Sequence, residues 1–108
     1  MKKVKPLEQR TRRPSHLGAL FREDVLPEIK LTQGQLAEAL GVSRRTINMI
    51  CNEQRPITPD MAIRLGRFLG NDAGLWLRMQ QQRDLWDAMH DSGAHYEKIP
   101  SYNTNMLK

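Results

Sequence analysis

The stretch TQGQLAEALGVSRRTINMICN, residues 32–52, holds two helix starts joined by almost nothing, and that limits the possible folds severely. Thr32 is a good N-cap, and Gln35 three residues on completes a capping box. Leu36, Ala37 and Leu40 share one face of the helix that follows, and Gly41 supplies a left-handed stop. Ser43 then caps a second helix, with Ile47 and Ile50 on its inward side. Only Gly41, Val42 and Ser43 connect the two, so the helices must cross steeply. Ala37 is small enough to let them approach closely.

The rest of the chain reads as further short helices with sharp stops. Leu17, Leu20, Phe21 and Val25 recur at helical spacing, and Pro27 is expected to close a first helix near Leu26. Thr58, Pro59 and Asp60 open a fourth helix as cap, N1 proline and first-turn acid. Met61, Ala62, Leu65, Phe68 and Leu69 form its apolar face, and Gly70 ends it. Asn71 or Asp72 can cap a fifth helix that runs to about His90. At 100° per residue, Leu75, Met79, Trp86 and Met89 fall within about 80° of one another. Trp76 and Leu85 widen that stripe, and Leu77 lies opposite. From Ser92 the periodicity is lost, although HYEKI (95–99) could form a short strand. The expected fold is all-α: a five-helix domain over residues 15–91, a basic N-terminal arm over 1–14 and an irregular tail over 92–108.

A chain of 108 residues, 39% apolar and 27% charged, supports one small domain with a modest core, for which oligomerisation is a natural source of stability. No apolar region follows the basic N-terminus as in a secretory signal, and no run is long enough to span a membrane. Cys51 is the only cysteine, which suits a reducing compartment, so a cytoplasmic location is expected. The net charge of +5 sits entirely in residues 1–16, where six basic groups face Glu8 alone. Residues 17–108 are neutral, but residues 30–67 within them carry six basic groups against three acidic ones. A positive arm beside a positive central segment suits a polyanion, although a basic arm alone fits a solvated tail as well.

Nothing indicates catalysis. No Gly-rich phosphate loop, HExxH or GxSxG occurs, and His16, His90 and His95 are not at metal-ligand spacing with Cys51. Asp84 and Asp87 are three residues apart, but solvation or pairing with Arg83 explains them better than a carboxylate pair. No catalytic residue, metal, cofactor or small-molecule substrate is expected. Cys51 reads as a partly buried small apolar residue.

Two capped helices joined by a short Gly-containing turn form a helix-turn-helix. An αα-hairpin that binds nothing is the competing reading, and the outward face of the second helix weighs against it. With Ile47 and Ile50 inward, Arg44, Arg45, Asn48 and Met49 are left near the exposed side, with Thr46 at its edge. The exposed N-terminal end of such a helix enters the major groove of DNA. Arginine there can donate twice to guanine O6 and N7, and asparagine can pair with adenine N6 and N7. Gln33 can contact phosphate or brace a base-reading side chain, unless it is only solvated. Lys30, Thr32, Ser43 and Arg55 flank the pair as phosphate candidates, along with Arg12 or Arg13 of the arm. Arg64 and Arg67 are expected to be solvated or ion-paired. Trp76, Met79, Trp86 and Met89 are read as part core and part homodimer interface. A two-fold dimer would match a palindromic operator with half-sites about one DNA turn apart.

The segment LTQGQLAEALGVSRRTINMICNEQRPITPDMAIRLGRFLG, followed by LWLRMQQQRDLW, resembles the HigA/VapI-type antitoxins within the Xre/lambda-repressor-like helix-turn-helix group. The first segment alone indicates the broad group. Thr58-Pro59, Trp76-Leu77 and the Gln80 to Leu85 run narrow it, and the match spans about residues 14 to 89. The resemblance implies a lambda-repressor-like domain that represses its own operon as a dimer on double-stranded DNA and binds a HigB-like, RelE-type mRNA-cleaving toxin. Carried over by residue, the reading positions are Gln33, Arg44, Arg45, Thr46 and Asn48. A free-standing repressor without a toxin, or an interaction module that has lost DNA binding, are the alternatives. The chain departs from the family at His16-Leu17-Gly18-Ala19, where His-Pro-Gly-Glu is usual, and Pro27 stands one place early. Glu53 replaces a common glycine, so Asn52 or Glu53 is expected to turn left-handed unless the loop differs. Gly66 replaces alanine, at a cost of about 1 kcal/mol unless close packing requires it.

Overall fold

The computed structural model describes residues 12–91 and 93–103. The basic positions before Arg12 and the last residues of the tail lie outside that range. Helix α1 covers residues 17–29, α2 Gln33–Leu40, α3 Arg44–Cys51, α4 Pro59–Leu69 and α5 Ala73–Asp91. A single helical turn, Gly93–Tyr96, follows as α6. The described residues form no strand: His95 and Tyr96 end α6 and residues 97–99 turn, with the Ile99 N–H on the Tyr96 carbonyl at 3.1 Å.

Pro27 does not close α1. The helix widens into a π turn over Phe21–Val25, where the Leu26 N–H bonds to the Phe21 carbonyl, and then continues through Leu26–Ile29. Proline needs no donor partner, and the widened turn relieves the clash its ring would otherwise make with the preceding turn. The extra residue also rotates the buried face. Leu26 is buried where the regular spacing put Val25. Lys30 ends the helix in the left-handed conformation at φ 57°.

The α2–α3 pair forms as its caps dictate. The capping box of Thr32 and Gln35 is complete, Gly41 turns left-handed at φ 71°, and the Ser43 side chain accepts the Thr46 N–H. One core joins all five helices through Leu17, Phe21, Leu36, Ile50, Leu65 and Trp76, with Ile47, Cys51 and Met61 beside them. Cys51 is wholly buried rather than partly so. Gly66 is required by packing, because a Cβ there would lie 2.6 Å from the Asn71 carbonyl oxygen.

The core side of the fifth helix is turned away from the centre of the expected stripe and overlaps only its Trp76 and Met79 edge. Ala73, Trp76 and Leu77 pack inward. The Gln80 amide clamps the backbone of buried Ile57, accepting from its N–H at 2.6 Å and donating to its C=O at 2.9 Å. Trp76 is therefore a core residue and not part of an exposed interface. It is 5% exposed, its ring lies 5.2 Å from that of Phe21, and its Nε1 donates to Asn71 Oδ1 at 2.8 Å. Of the stripe, Met79 reaches the core edge, Leu75 and Leu85 are exposed, and Trp86 and Met89 are half-buried. Periodicity located one stripe with Leu77 opposite it, and could not tell that the side between Trp76 and Leu77 turns inward.

Candidate nucleic-acid interface

Helix α3 is held at both ends by side-chain hydrogen bonds. At its start, Ser43 Oγ caps the Thr46 N–H at 3.1 Å and lies 2.8 Å from Thr46 Oγ1. Arg55 Nη1 donates to the same Thr46 oxygen at 3.4 Å. The turn before it is fixed by Arg64, which donates to the Leu40 carbonyl at 2.7 Å and pairs with Asp60 at 2.9 Å. At the far end, Arg22 Nη1 donates to the Cys51 carbonyl at 2.6 Å. Glu53 takes the left-handed position, at φ 61°, and its carboxylate lies 3.7 Å from both Arg22 and His16. Gly18 lets α1 cross here, since a Cβ would collide with the Ile50 carbonyl. Burial pushes the Cys51 thiol above its ordinary pKa, although nearby Arg22 pulls the other way.

With α3 fixed, its outward side carries Arg44, Arg45 and Asn48, all exposed, with Thr46 and Met49 half-buried at the margins. Neither Arg44 nor Arg45 has a hydrogen bond or ion pair among the described residues. Gln33, in the first turn of α2, comes to this face. Its Oε1 accepts from Asn48 Nδ2 at 3.1 Å, so it braces Asn48. Thr32, Lys30, Ser43 and Arg55 are exposed around the pair. The two hydroxyls are occupied as caps, and Arg55 leans on Thr46.

Arg13 is drawn elsewhere. Its Nε and Nη2 donate to the two carboxylate oxygens of Asp87 at 2.7 and 2.9 Å. Arg83 donates to Asp87 at 3.1 Å and to the Pro14 carbonyl at 3.2 Å. This cluster ties the start of the described chain to α5. The bond from Arg13, with Arg83 adding to it, holds the Asp87 carboxyl below the usual carboxylate range. No described helix is long and apolar enough to cross a membrane.

Sequence reading missed two residues here. No local signal ties Arg22 to a carbonyl 29 positions away. Asn52 looked like a loop residue, yet its Nδ2 donates to Asn48 Oδ1 at 3.1 Å. The i, i+4 spacing of the two asparagines was the available signal.

Residues 22–76 match the helix-turn-helix family model. The chain is 47% identical over 85 residues to virulence-associated protein I of Dichelobacter nodosus, covering 79% of each. It is 38% identical over 76 residues to antitoxin HigA-1 of Vibrio cholerae, covering 70% of this chain and 71% of that one. Among solved structures, it superposes on the Pseudomonas aeruginosa antitoxin HigA with higBA promoter at a TM-score of 0.77. That match has 38% identity and covers 84% of this chain and all of the other.

Proposed function

Because the chain belongs to the helix-turn-helix family, among the HigA-type antitoxins, we propose that it is an antitoxin that represses its own operon as a dimer on a palindromic operator and neutralises a RelE-like, HigB-like toxin in the cytoplasm. The observation that carries the DNA-reading part is the pair Arg44 and Arg45. Both are exposed at the start of α3, and neither is engaged within the described residues. An arginine already paired must break that pair to reach a base; these two keep their donors available for guanine O6 and N7. Asn48 supplies a carboxamide for an adenine edge, with Gln33 as its brace and Thr46 at the margin. Lys30, Thr32, Ser43 and Arg55 are the phosphate-facing set. Helix starts favour anions, which adds the first turns of α2 and α3 to that set. Leu75, Met79, Trp86 and Met89 are the proposed contact between protomers.

Footprinting on the region upstream of its own reading frame tests the proposal. One protected palindrome is expected, with half-sites about one helical turn apart. Arg44→Ala should lose about 1–3 kcal/mol of discrimination at one base pair per half-site. Equal weakening on every sequence would make Arg44 a phosphate contact instead, and no protection at low salt would end the DNA-reading proposal. Co-purification with the product of an adjacent basic, RelE-like reading frame tests the toxin. Its failure would leave a free-standing repressor.

A further inference from the structure

Asn52 is the C-cap of α3 and does not belong to the base-reading set. Its Nδ2 donates to Asn48 Oδ1 at 3.1 Å, and Asn48 Nδ2 donates in turn to Gln33 Oε1 at 3.1 Å. The three carboxamides form a line of two bonds running in one direction, from Asn52 through Asn48 to Gln33. We propose that Asn52 is a positioning residue for DNA recognition, holding the Asn48 amide in the orientation in which it meets a base. The proposal rests on the DNA-reading function above.

An exposed asparagine on a helix turns freely about its last side-chain bond. Bound at one end by Gln33, the amide can still swing; bound at both ends, it is fixed before DNA arrives. Each bond uses one of the two Nδ2 hydrogens and one of the two Oδ1 lone-pair sites, so one donor and one acceptor remain. Those are what an adenine edge requires, since N7 accepts and N6 donates. Fixing them beforehand removes an ordering cost from binding. Asn52 lies about 40° around α3 from Asn48 and about 20° from Arg45, so it sits within the outward face and not behind it. Its backbone N–H also bonds the Asn48 carbonyl, at 2.9 Å, which keeps the two side chains on adjoining turns.

Two variants separate positioning from a merely structural role. Asn52→Ala removes the donor and leaves Asn48 held by Gln33 alone. Asn52→Asp can only accept, so Asn48 must present Nδ2 to it, which turns the amide over and exchanges its donor and acceptor ends. The experiment is selection by wild type and variants from a pool of random-sequence duplexes, read as base preference at each position, with thermal unfolding confirming that each variant folds. For Asn52→Ala, the preference at the base pair that Asn48→Ala also affects should fall about fivefold to tenfold, with other positions unchanged. The double variant should lose no more than Asn48→Ala alone. Asn52→Asp should move the preference at that position away from adenine, beyond any uniform loss caused by its charge. Unchanged preferences, a uniform loss in Asn52→Ala, or fully additive losses in the double variant would make Asn52 only a helix terminator and overturn the proposal. A wild-type protein that selects no sequence would overturn the DNA-reading proposal itself, and this one with it.

Discussion

Arg22 donates to the Cys51 carbonyl at the end of α3 and lies beside Glu53, a non-glycine residue with positive φ. The left-handed position costs an ordinary residue on the order of 1 kcal/mol, and Arg22 offsets part of this by lying beside the carboxylate. Arg22→Ala should therefore cost about 1 kcal/mol, more than a typical exposed arginine, and thermal unfolding would register it. Cys51 behind the same helix end is wholly buried, and burial raises its thiol pKa. A thiol-specific reagent at neutral pH should leave native protein unlabelled and label it fully in denaturant; rapid native labelling would contradict that burial. Asp87 provides the pH test. Its folded pKa lies below the unfolded value, because of Arg13 first and Arg83 with it. Its contribution is therefore present above the ordinary carboxylate pKa of about 3.9 and disappears as pH falls through the lower folded value. Both partners are partly exposed, so the effect is small, below about 1 kcal/mol. Asp87→Asn should unfold at lower temperature than wild type at pH 7, and the gap should narrow as the pH falls below the ordinary carboxylate range.

At the scale of the helices, legibility followed sequence distance. Thr32, Gln35, Gly41, Ser43 and Thr58 act within three or four residues of themselves, and each forms the cap its spacing implied. Arg44, Arg45 and Asn48 were legible because Ile47 and Ile50 fixed the helix phase. What could not be read depended on a partner far along the chain: the π turn that carries α1 past Pro27, the buried side of α5, and the reach of Arg22 and Gln80. The glycines make the same point through close approach. Gly18 and Gly66 sit within helices where alanine would normally be better by about 1 kcal/mol. Gly18 faces the Ile50 carbonyl, however, and Gly66 the Asn71 carbonyl, both rigid backbone. Gly34 in α2 has nothing nearer than 3.8 Å to an added Cβ. Gly18→Ala and Gly66→Ala should each destabilise by about 1–3 kcal/mol, and Gly34→Ala should gain up to about 1 kcal/mol. Melting temperatures should thus fall for the first two and rise for the third. A rise for Gly18→Ala would mean that α1 does not cross α3 this closely.

Over the whole molecule, the surfaces divide by chemistry. The α2–α3 end is basic and open, α1 braces it from behind, and α5 turns a second apolar face outward. Leu75 and Leu85 are 38% and 44% exposed on that helix, with Trp86 and Met89 half-buried beside them. A lone five-helix domain gains nothing from holding the two leucines in water, whereas burying a leucine stabilises by about 1.5–3 kcal/mol. A protomer pair joined along α5 would also set two α3 helices at a fixed spacing, and each operator half-site would then help bind the other through the shared contact. Leu75→Asp is the sharpest test, because Leu75 lies away from both the core and α3. Sedimentation should give a dimer for wild type at micromolar concentration and a monomer for the variant, with the melting temperature of the isolated domain little changed. On DNA the monomeric variant should keep its base preferences at each half-site while losing affinity for the full palindrome. If wild type sediments as a monomer, or if the variant binds the palindrome as tightly as wild type, the outward face of α5 is not what joins the protomers.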